Sequence, residues 1–415
     1  MATSLETRSA VEVAQGEILR AVSQIGLPSA VYEVLREPQR LVSITIPVRM
    51  SDGRFKAFKG FRAQHTDVLG PGVGGVRLDP RLTADEVKAR AIHTTLQCAV
   101  LGLPCGGAAG GVICDAALLS QQELEDLARG YLRAIAPLSG PEIDVPAYGS
   151  ATGDQISGYV FDEYCRLHGR NSPGVATGKP RVLGGVGDRI EATGLGCAIV
   201  VREAMRRGGR ELAGARIAFQ GFGRAAGETA VLLASLGCRI VAASDGTSAW
   251  HDPEGLDVSA LGRGGSPAGL GRPEGALEIT PAELERLEVD VLVSAAAWRG
   301  LSPTGVRAGI VVEFARGSVN AQAATLLAGA GTLVVPHILA TAGAPVLAYL
   351  EWAQSRVNFY WPSDEVHEKL ERMMVSSVEE IWTLRGEFAL PLRDAAYAVA
   401  VRRLASALAA RGWIS

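Results

Sequence analysis

The chain is short of paired cysteines, of long apolar runs and of lysine, and each shortage excludes something. Its six cysteines (Cys98, Cys105, Cys114, Cys165, Cys197 and Cys238) stand singly, without the CxxC spacing of a zinc site or a redox dithiol. They read as small buried hydrophobes, and no metal is expected. No stretch has the run of apolar residues that spans a bilayer, and Glu6, Glu12 and Glu17 interrupt the N-terminal segment where a signal peptide needs an apolar core. A cytoplasmic protein without membrane contact is therefore expected. The net charge of −3 gives no electrostatic ground for binding nucleic acid, which leaves small molecules and proteins as partners. Lysine is rare, with five residues against thirty-six arginines.

What is present points to a two-domain α/β protein. A length of 415 residues exceeds what one hydrophobic core usually organises, and 47% hydrophobic with 20% charged residues is the balance of a globular chain. Fifty glycines imply many positions of positive φ or close backbone approach. Alternating segments at Leu41 to Val48 and Phe55 to Gln64, broken by Ser51-Asp52-Gly53, predict a hairpin. Thr83, with Glu86 three residues on, opens a helix that runs through Ala99. Beyond Leu101-Gly102-Leu103-Pro104, the run Cys105-Gly106-Gly107-Ala108-Ala109-Gly110-Gly111 reads as a loop too flexible for regular structure and suited to wrapping a ligand.

A second organisation follows the turn-forming stretch Gly169 to Gly174. Ala215 to Gln220 predicts a strand, Gly221-Phe222-Gly223-Arg224-Ala225-Ala226 a tight turn, and the residues to Leu236 a helix, with a second strand ending at Asp245. The spacing of Gly221, Gly223 and Ala226 lets backbone approach a pyrophosphate at a helix N-terminus, and Asp245 lies where an acid receives a ribose hydroxyl. NAD or NADP is the cofactor this implies, and Arg224 on the same loop suits phosphate. Strand-like runs at Val289 to Ser294, Ile310 to Glu313 and Thr332 to Val335 suggest an open parallel sheet, and the chain reads as helical from Ala344.

Several stretches together resemble the glutamate dehydrogenase family, which includes leucine, phenylalanine and valine dehydrogenases. They are Gly60 to His65, Gly74-Gly75-Val76-Arg77, Cys98-Ala99-Val100, Gly106 to Val112, Asp144-Val145-Pro146-Ala147, Glu191-Ala192-Thr193-Gly194 and the turn at Gly221, with Asp290-Val291-Leu292, Val334-Val335-Pro336 and Tyr349-Leu350-Glu351-Trp352 further on. The resemblance implies an N-terminal substrate and oligomerisation domain over residues 1–178, a Rossmann-type dinucleotide-binding domain over 179–345, and C-terminal helices over 346–415 that pack back. It adds Thr193 to the cofactor positions and implies a hexamer.

Set against that pattern, the chemistry is missing. Oxidative deamination needs a hydride acceptor, a grip on the substrate carboxylates and proton transfer at the amine. The family's substrate-gripping lysines fall on Val73 and Gln97, its catalytic lysine on Ala109, its catalytic aspartate on Gly149, and its substrate serine on Ala348. Arg77 remains beside this pocket. The scarcity of lysine does not explain the change, because Val, Gln and Ala remove the charge that arginine would keep. The family's asparagines near the nicotinamide fall on Arg316 and Thr341, and Val186-Gly187-Asp188 replaces the usual Ser-Leu-Gly.

The sequence therefore predicts a regulatory, non-catalytic subunit that assembles with a catalytic glutamate dehydrogenase paralogue. Its vestigial pocket would take a small-molecule effector, a hydrophobic amino acid such as leucine or a nucleotide. Two alternatives stand beside it: an active NAD(P)-dependent dehydrogenase for another amino acid that uses His93 or Asp154, and a nucleotide-sensing binding protein.

Overall fold

The computed structural model describes residues 9–149, 153–261, 270–296 and 300–414. The chain forms two compact units, one of residues 1–188, 345–366 and 397–415, the other of residues 189–344 and 367–396. The first division thus falls after Asp188, where 178 was expected, and the C-terminal helices are shared between the units.

In the first unit, α1 (Ala10–Gln24) and α2 (Ser29–Leu35) lead into a hairpin of β1 (Arg40–Arg49) and β2 (Phe55–Thr66). Then come β3 (Gly72–Leu78), α3 (Ala84–Val100), β4 (Gly106–Val112), α4 (Gln121–Ile135), β5 (Asp144–Ala147) and α5 (Asp154–His168). The five strands form one mixed sheet in the order β1-β2-β4-β3-β5. The Thr83 hydroxyl accepts the Glu86 amide as an N-cap, while the Glu86 carboxylate turns to Arg77 at 3.4 Å.

The expected glycine loop is instead β4, buried at every residue and hydrogen-bonded to strands on both sides. Its glycines serve close approach and not flexibility. A Cβ at Gly107 would lie 2.3 Å from the Thr95 amide nitrogen of α3, and one at Gly110 would lie 2.1 Å from the Tyr131 hydroxyl. Glycine at these two positions lets α3 and α4 close onto the sheet.

The second unit holds α6 (Arg189–Arg207), β6 (Arg216–Gln220), α7 (Arg224–Ser235), β7 (Arg239–Ser244), β8 (Ala249–His251), β9 (Leu277–Glu278) and α8 (Pro281–Glu285). It continues with β10 (Val291–Ser294), β11 (Ile310–Glu313), α9 (Ala321–Gly329), β12 (Leu333–Val335) and α10 (His337–Ala340). The sheet order is β12-β11-β10-β6-β7-β8-β9, parallel from β12 to β7 and antiparallel at β8 and β9. Because β6 lies between β7 and β10, the chain reverses its direction of travel across the sheet there, and the turn after β6 opens at the switch point where such sheets bind ligands. The fold is α/β with a Rossmann-type second unit, as the sequence implied.

Three long helices complete the chain: α11 (Gly343–Val357), α12 (Ser363–Phe388) and α13 (Leu392–Ala410). Within the first unit α11 is fixed by Glu351, whose carboxylate accepts from the Gly178 and Lys179 amides and pairs with the fully buried Lys179 ammonium at 2.7 Å. Arg403 of α13 donates to the carbonyl of Ala99 at the end of α3. No helix among the described residues is long and apolar enough to cross a membrane.

Candidate functional site

The positions expected to form the substrate pocket all lie in the first unit. Val73 pairs with Gly107 of β4 and Arg77 with Gly111, so Val73, Gly75, Arg77, Gly107 and Ala109 share one face of the sheet. Gly107 abuts Thr95, which makes this the face that α3 covers. Gln97, half-buried, lies near the C-terminal end of α3. The sheet face and α3 thus bring Val73, Arg77 and Ala109 to one side of the sheet, with Gln97 on the covering helix.

Ala109 decides what this face can do. It is 1% exposed and packs in an apolar cluster with Phe61, Ala63, Leu82, Val87 and Ala91. An alanine methyl has no proton to transfer. Val73 is half-buried and apolar, and Arg77, exposed, is paired with Glu86. Gly149 follows β5 by two residues and accepts the Gly153 amide at 2.9 Å with its own carbonyl. Ala348, half-buried, lies on α11 one turn before Glu351.

Two features escaped the sequence reading. Arg90 of α3 stands over the glycines of β3, so that a Cβ at Gly75 would come within 3.2 Å of its Nη2. Helical periodicity could have marked Arg90, since it lies seven residues before Gln97 and so on the same side of α3. The second is the role of Asp144. Arg62, 1% exposed, donates from Nε to Asp144 Oδ2 at 2.8 Å and from Nη2 to Oδ1, and Gln64 adds a bond of 2.9 Å. Burial opposes the Arg62 charge, yet the Asp144 carboxylate holds its pKa above the usual arginine value. Two motifs that look like site elements are thus partners in one buried ion pair.

The alternative acid–base candidates lie on two different helices, His93 on α3 between Arg90 and Gln97 and Asp154 on α5. Asp154 is exposed in the first turn of α5, where its carbonyl accepts the Ser157 hydroxyl at 2.6 Å. His93 is half-buried on α3, adjacent to the buried Ile92.

In the second unit the turn after β6 has the geometry of a pyrophosphate cradle. Gly221 adopts φ +91°, and a Cβ there would lie 2.8 Å from the Ala295 carbonyl carbon and the Ala296 nitrogen. Gly223 caps α7 with open space at its Cβ position, and Ala226 is buried. These residues fit a dinucleotide phosphate at a helix N-terminus. The remaining positions fit less well. Asp245 Oδ1 accepts from the Thr247 amide and hydroxyl and the Ser248 amide, and Oδ2 accepts from Leu270 N at 2.7 Å. Burial raises its pKa, but these hydrogen bonds together hold it below the usual aspartate value. A carboxylate offers about four acceptor sites, so the residue expected to take the ribose hydroxyl is already committed to donors at Thr247, Ser248 and Leu270.

Thr193 donates its hydroxyl to the Arg189 carbonyl one turn back in α6. At the expected nicotinamide end, Arg316 is half-buried, and Thr341 donates to the His337 carbonyl at 2.9 Å. Burial, with the Arg316 charge beside it, pushes the His337 pKa down to about 3. Among the described residues no group of three or more His, Cys, Asp or Glu could hold a metal.

Comparison with known proteins places these sites in a family context. A model described as "Glutamate/Leucine/Phenylalanine/Valine dehydrogenase" matches residues 184–412, and one described as "Glu/Leu/Phe/Val dehydrogenase, dimerisation domain" matches residues 38–166. The chain is 42% identical over 406 residues to the cryptic catabolic NAD-specific glutamate dehydrogenase GudB of Bacillus subtilis, covering 96% of this chain and 95% of that one. It is 39% identical over 411 residues to an NAD-specific glutamate dehydrogenase of Staphylococcus aureus, covering 98% and 99%. Among solved structures it resembles the leucine-bound form of a hetero-hexameric glutamate dehydrogenase from Thermus thermophilus. There the TM-score is 0.90 at 35% identity, over 100% of both chains.

Proposed function

Because the chain belongs to the Glu/Leu/Phe/Val dehydrogenase family, we propose that it is a regulatory glutamate dehydrogenase subunit that assembles with a catalytic paralogue and turns over no glutamate alone. The observation that carries this reading is Ala109, closed into an apolar cluster where the family resemblance expects the catalytic lysine. Val73, Gln97 and Gly149 remove two further cations and a carboxylate from the same site. Charge-assisted hydrogen bonds contribute about 1.5–3 kcal/mol each, and general acid–base catalysis about 10²–10⁴-fold, so their joint loss abolishes useful turnover.

The remaining parts suit assembly and control. The Thermus relative is a hetero-hexamer with leucine bound, which supports a mixed oligomer and an amino-acid effector for this chain. Relatives named as NAD-specific support a dinucleotide at the Gly221–Ala226 cradle, although the committed Asp245 and the change to Arg316 weaken its hold on the ribose and nicotinamide ends. When bound, that group supplies a hydride acceptor. An effector then acts by favouring one state of the assembly over another.

The test is to purify the chain alone and together with a lysine-intact family member from the same genome. The lone chain should reduce neither NAD nor NADP with glutamate or other amino acids, and it should enter a mixed oligomer whose turnover changes with effector. Glutamate-dependent reduction by the lone chain, or its exclusion from the oligomer, refutes the reading.

A further inference from the structure

The turn after β6 keeps what a phosphate needs, while the strand end two places across the sheet has lost what a nicotinamide needs. Gly221 and Gly223 carry no side chain at the start of α7, and no side chain caps that helix. Arg224, exposed, is its first residue. The neighbouring strand ends lie level with this turn, because Ser294 of β10 pairs with Gln220 of β6 on one side and with Glu313 of β11 on the other. The β11 end, which Arg316 follows by three residues, is therefore two strand spacings, about 10 Å, from the end of β6.

Arg316 does not suit the ring it would meet. An oxidised nicotinamide is itself a cation, and a guanidinium beside it repels it. Glu313 does not cancel that charge, because its carboxylate accepts the Gly317 and His337 amides and pairs with Arg393. At the adenosine end Asp245 already accepts from Thr247, Ser248 and Leu270, so the ribose is weakly held as well. What remains is a turn built for phosphate, with Arg224 at its helix end and Arg316 across β10. A guanidinium has five N–H donors, so each arginine can take a phosphate oxygen beside any neighbour it already engages.

We propose that the second unit holds its nucleotide by the phosphates and prefers a nucleoside triphosphate to a nicotinamide dinucleotide, the terminal phosphate reaching across β10 to Arg316. A triphosphate brings more negative charge to the two arginines and no cationic ring. The inference rests on the regulatory reading, in which a nucleotide is bound and no hydride has to be transferred.

Calorimetric titration of the full-length chain with ATP, ADP, tripolyphosphate and oxidised NAD, without added divalent metal, tests this. ATP should bind about tenfold more tightly than NAD, with ADP between them. Tripolyphosphate equal to ATP makes the phosphate chain alone the ligand; weaker tripolyphosphate adds the nucleoside to it. Arg316→Asn should weaken ATP about tenfold and strengthen NAD, opposite changes that a merely structural arginine would not give. Arg316→Lys should keep the parent order and Arg224→Gln should weaken both ligands, while Arg54→Glu on the β1–β2 turn of the first unit should alter neither. The proposal is overturned if NAD binds as tightly as ATP, if neither binds, or if Arg316→Asn leaves their ratio unchanged. A chain that co-assembles and turns over no glutamate yet prefers NAD refutes the triphosphate site and leaves the regulatory reading standing. Turnover by the lone chain refutes that reading whichever nucleotide the second unit prefers.

Discussion

A methyl group added at Gly74 would sit 1.5 Å from the Ala108 carbonyl oxygen, and the paired backbones of β3 and β4 leave neither atom room to retreat. Gly74→Ala should therefore lower unfolding stability by about 3 kcal/mol or more. At Gly223, where φ is −80° and the Cβ position is open, the same change should cost under about 0.5 kcal/mol. Urea unfolding of both variants checks this, and equal effects would show that the β3 glycine is not a packing requirement. The Arg62–Asp144 pair makes a second residue-level case, since both side chains are buried. Asp144→Asn leaves a guanidinium charge uncompensated in the interior, and about 3–5 kcal/mol should be lost in the same measurement.

Elements are tied together at His65, the β2 residue whose Nδ1 lies 2.7 Å from Thr95 Oγ1 on α3 and whose Nε2 lies 2.7 Å from the Leu35 carbonyl ending α2. Burial pushes its pKa down to about 4, against an ordinary histidine value near 6.5. The sign follows from linkage: the unfolded chain takes up a proton on this residue first, so its contribution to stability is complete above about pH 6.5 and is lost as pH falls toward 4. Urea midpoints measured from pH 7 to 4.5 should fall, and His65→Gln should flatten that slope whatever it does to the absolute stability. An unchanged slope would exclude His65 as the titrating group. His65 was legible as part of a motif, but its two partners lie thirty residues away on either side, beyond any local pattern. The β1–β2 hairpin and the turn at Gly221 were legible because alternation and a strand-turn-helix signature are local. The β4 strand was not, because its glycines describe what approaches them, and that is set by α3, α4 and the neighbouring strands. Likewise, the commitment of Asp245 depends on an amide at Leu270, twenty-five residues on.

At the scale of the whole molecule, the departures from the family pattern fall into two sets, one in each compact unit. Val73, Gln97, Ala109, Gly149, Ala348 and the stretch Val186-Gly187-Asp188 lie in the first, and Arg316 and Thr341 in the second. Oxidative deamination needs both a gripped amino acid and a correctly held nicotinamide, so repair of one unit should restore binding without turnover. Ala109→Lys alone should restore nothing, because an ammonium among Leu82, Val87 and Ala91 is desolvated and loses its proton, and groups that act as a unit do not contribute singly. The chain carrying Val73→Lys, Gln97→Lys, Ala109→Lys, Gly149→Asp and Ala348→Ser should bind glutamate by calorimetry yet reduce no NAD. Adding Arg316→Asn and Thr341→Asn should bring glutamate-dependent absorbance at the reduced-cofactor wavelength above background. Turnover from the single lysine, or from the first five changes alone, would show that the second unit still holds the nicotinamide productively and that the deficiency is confined to the first.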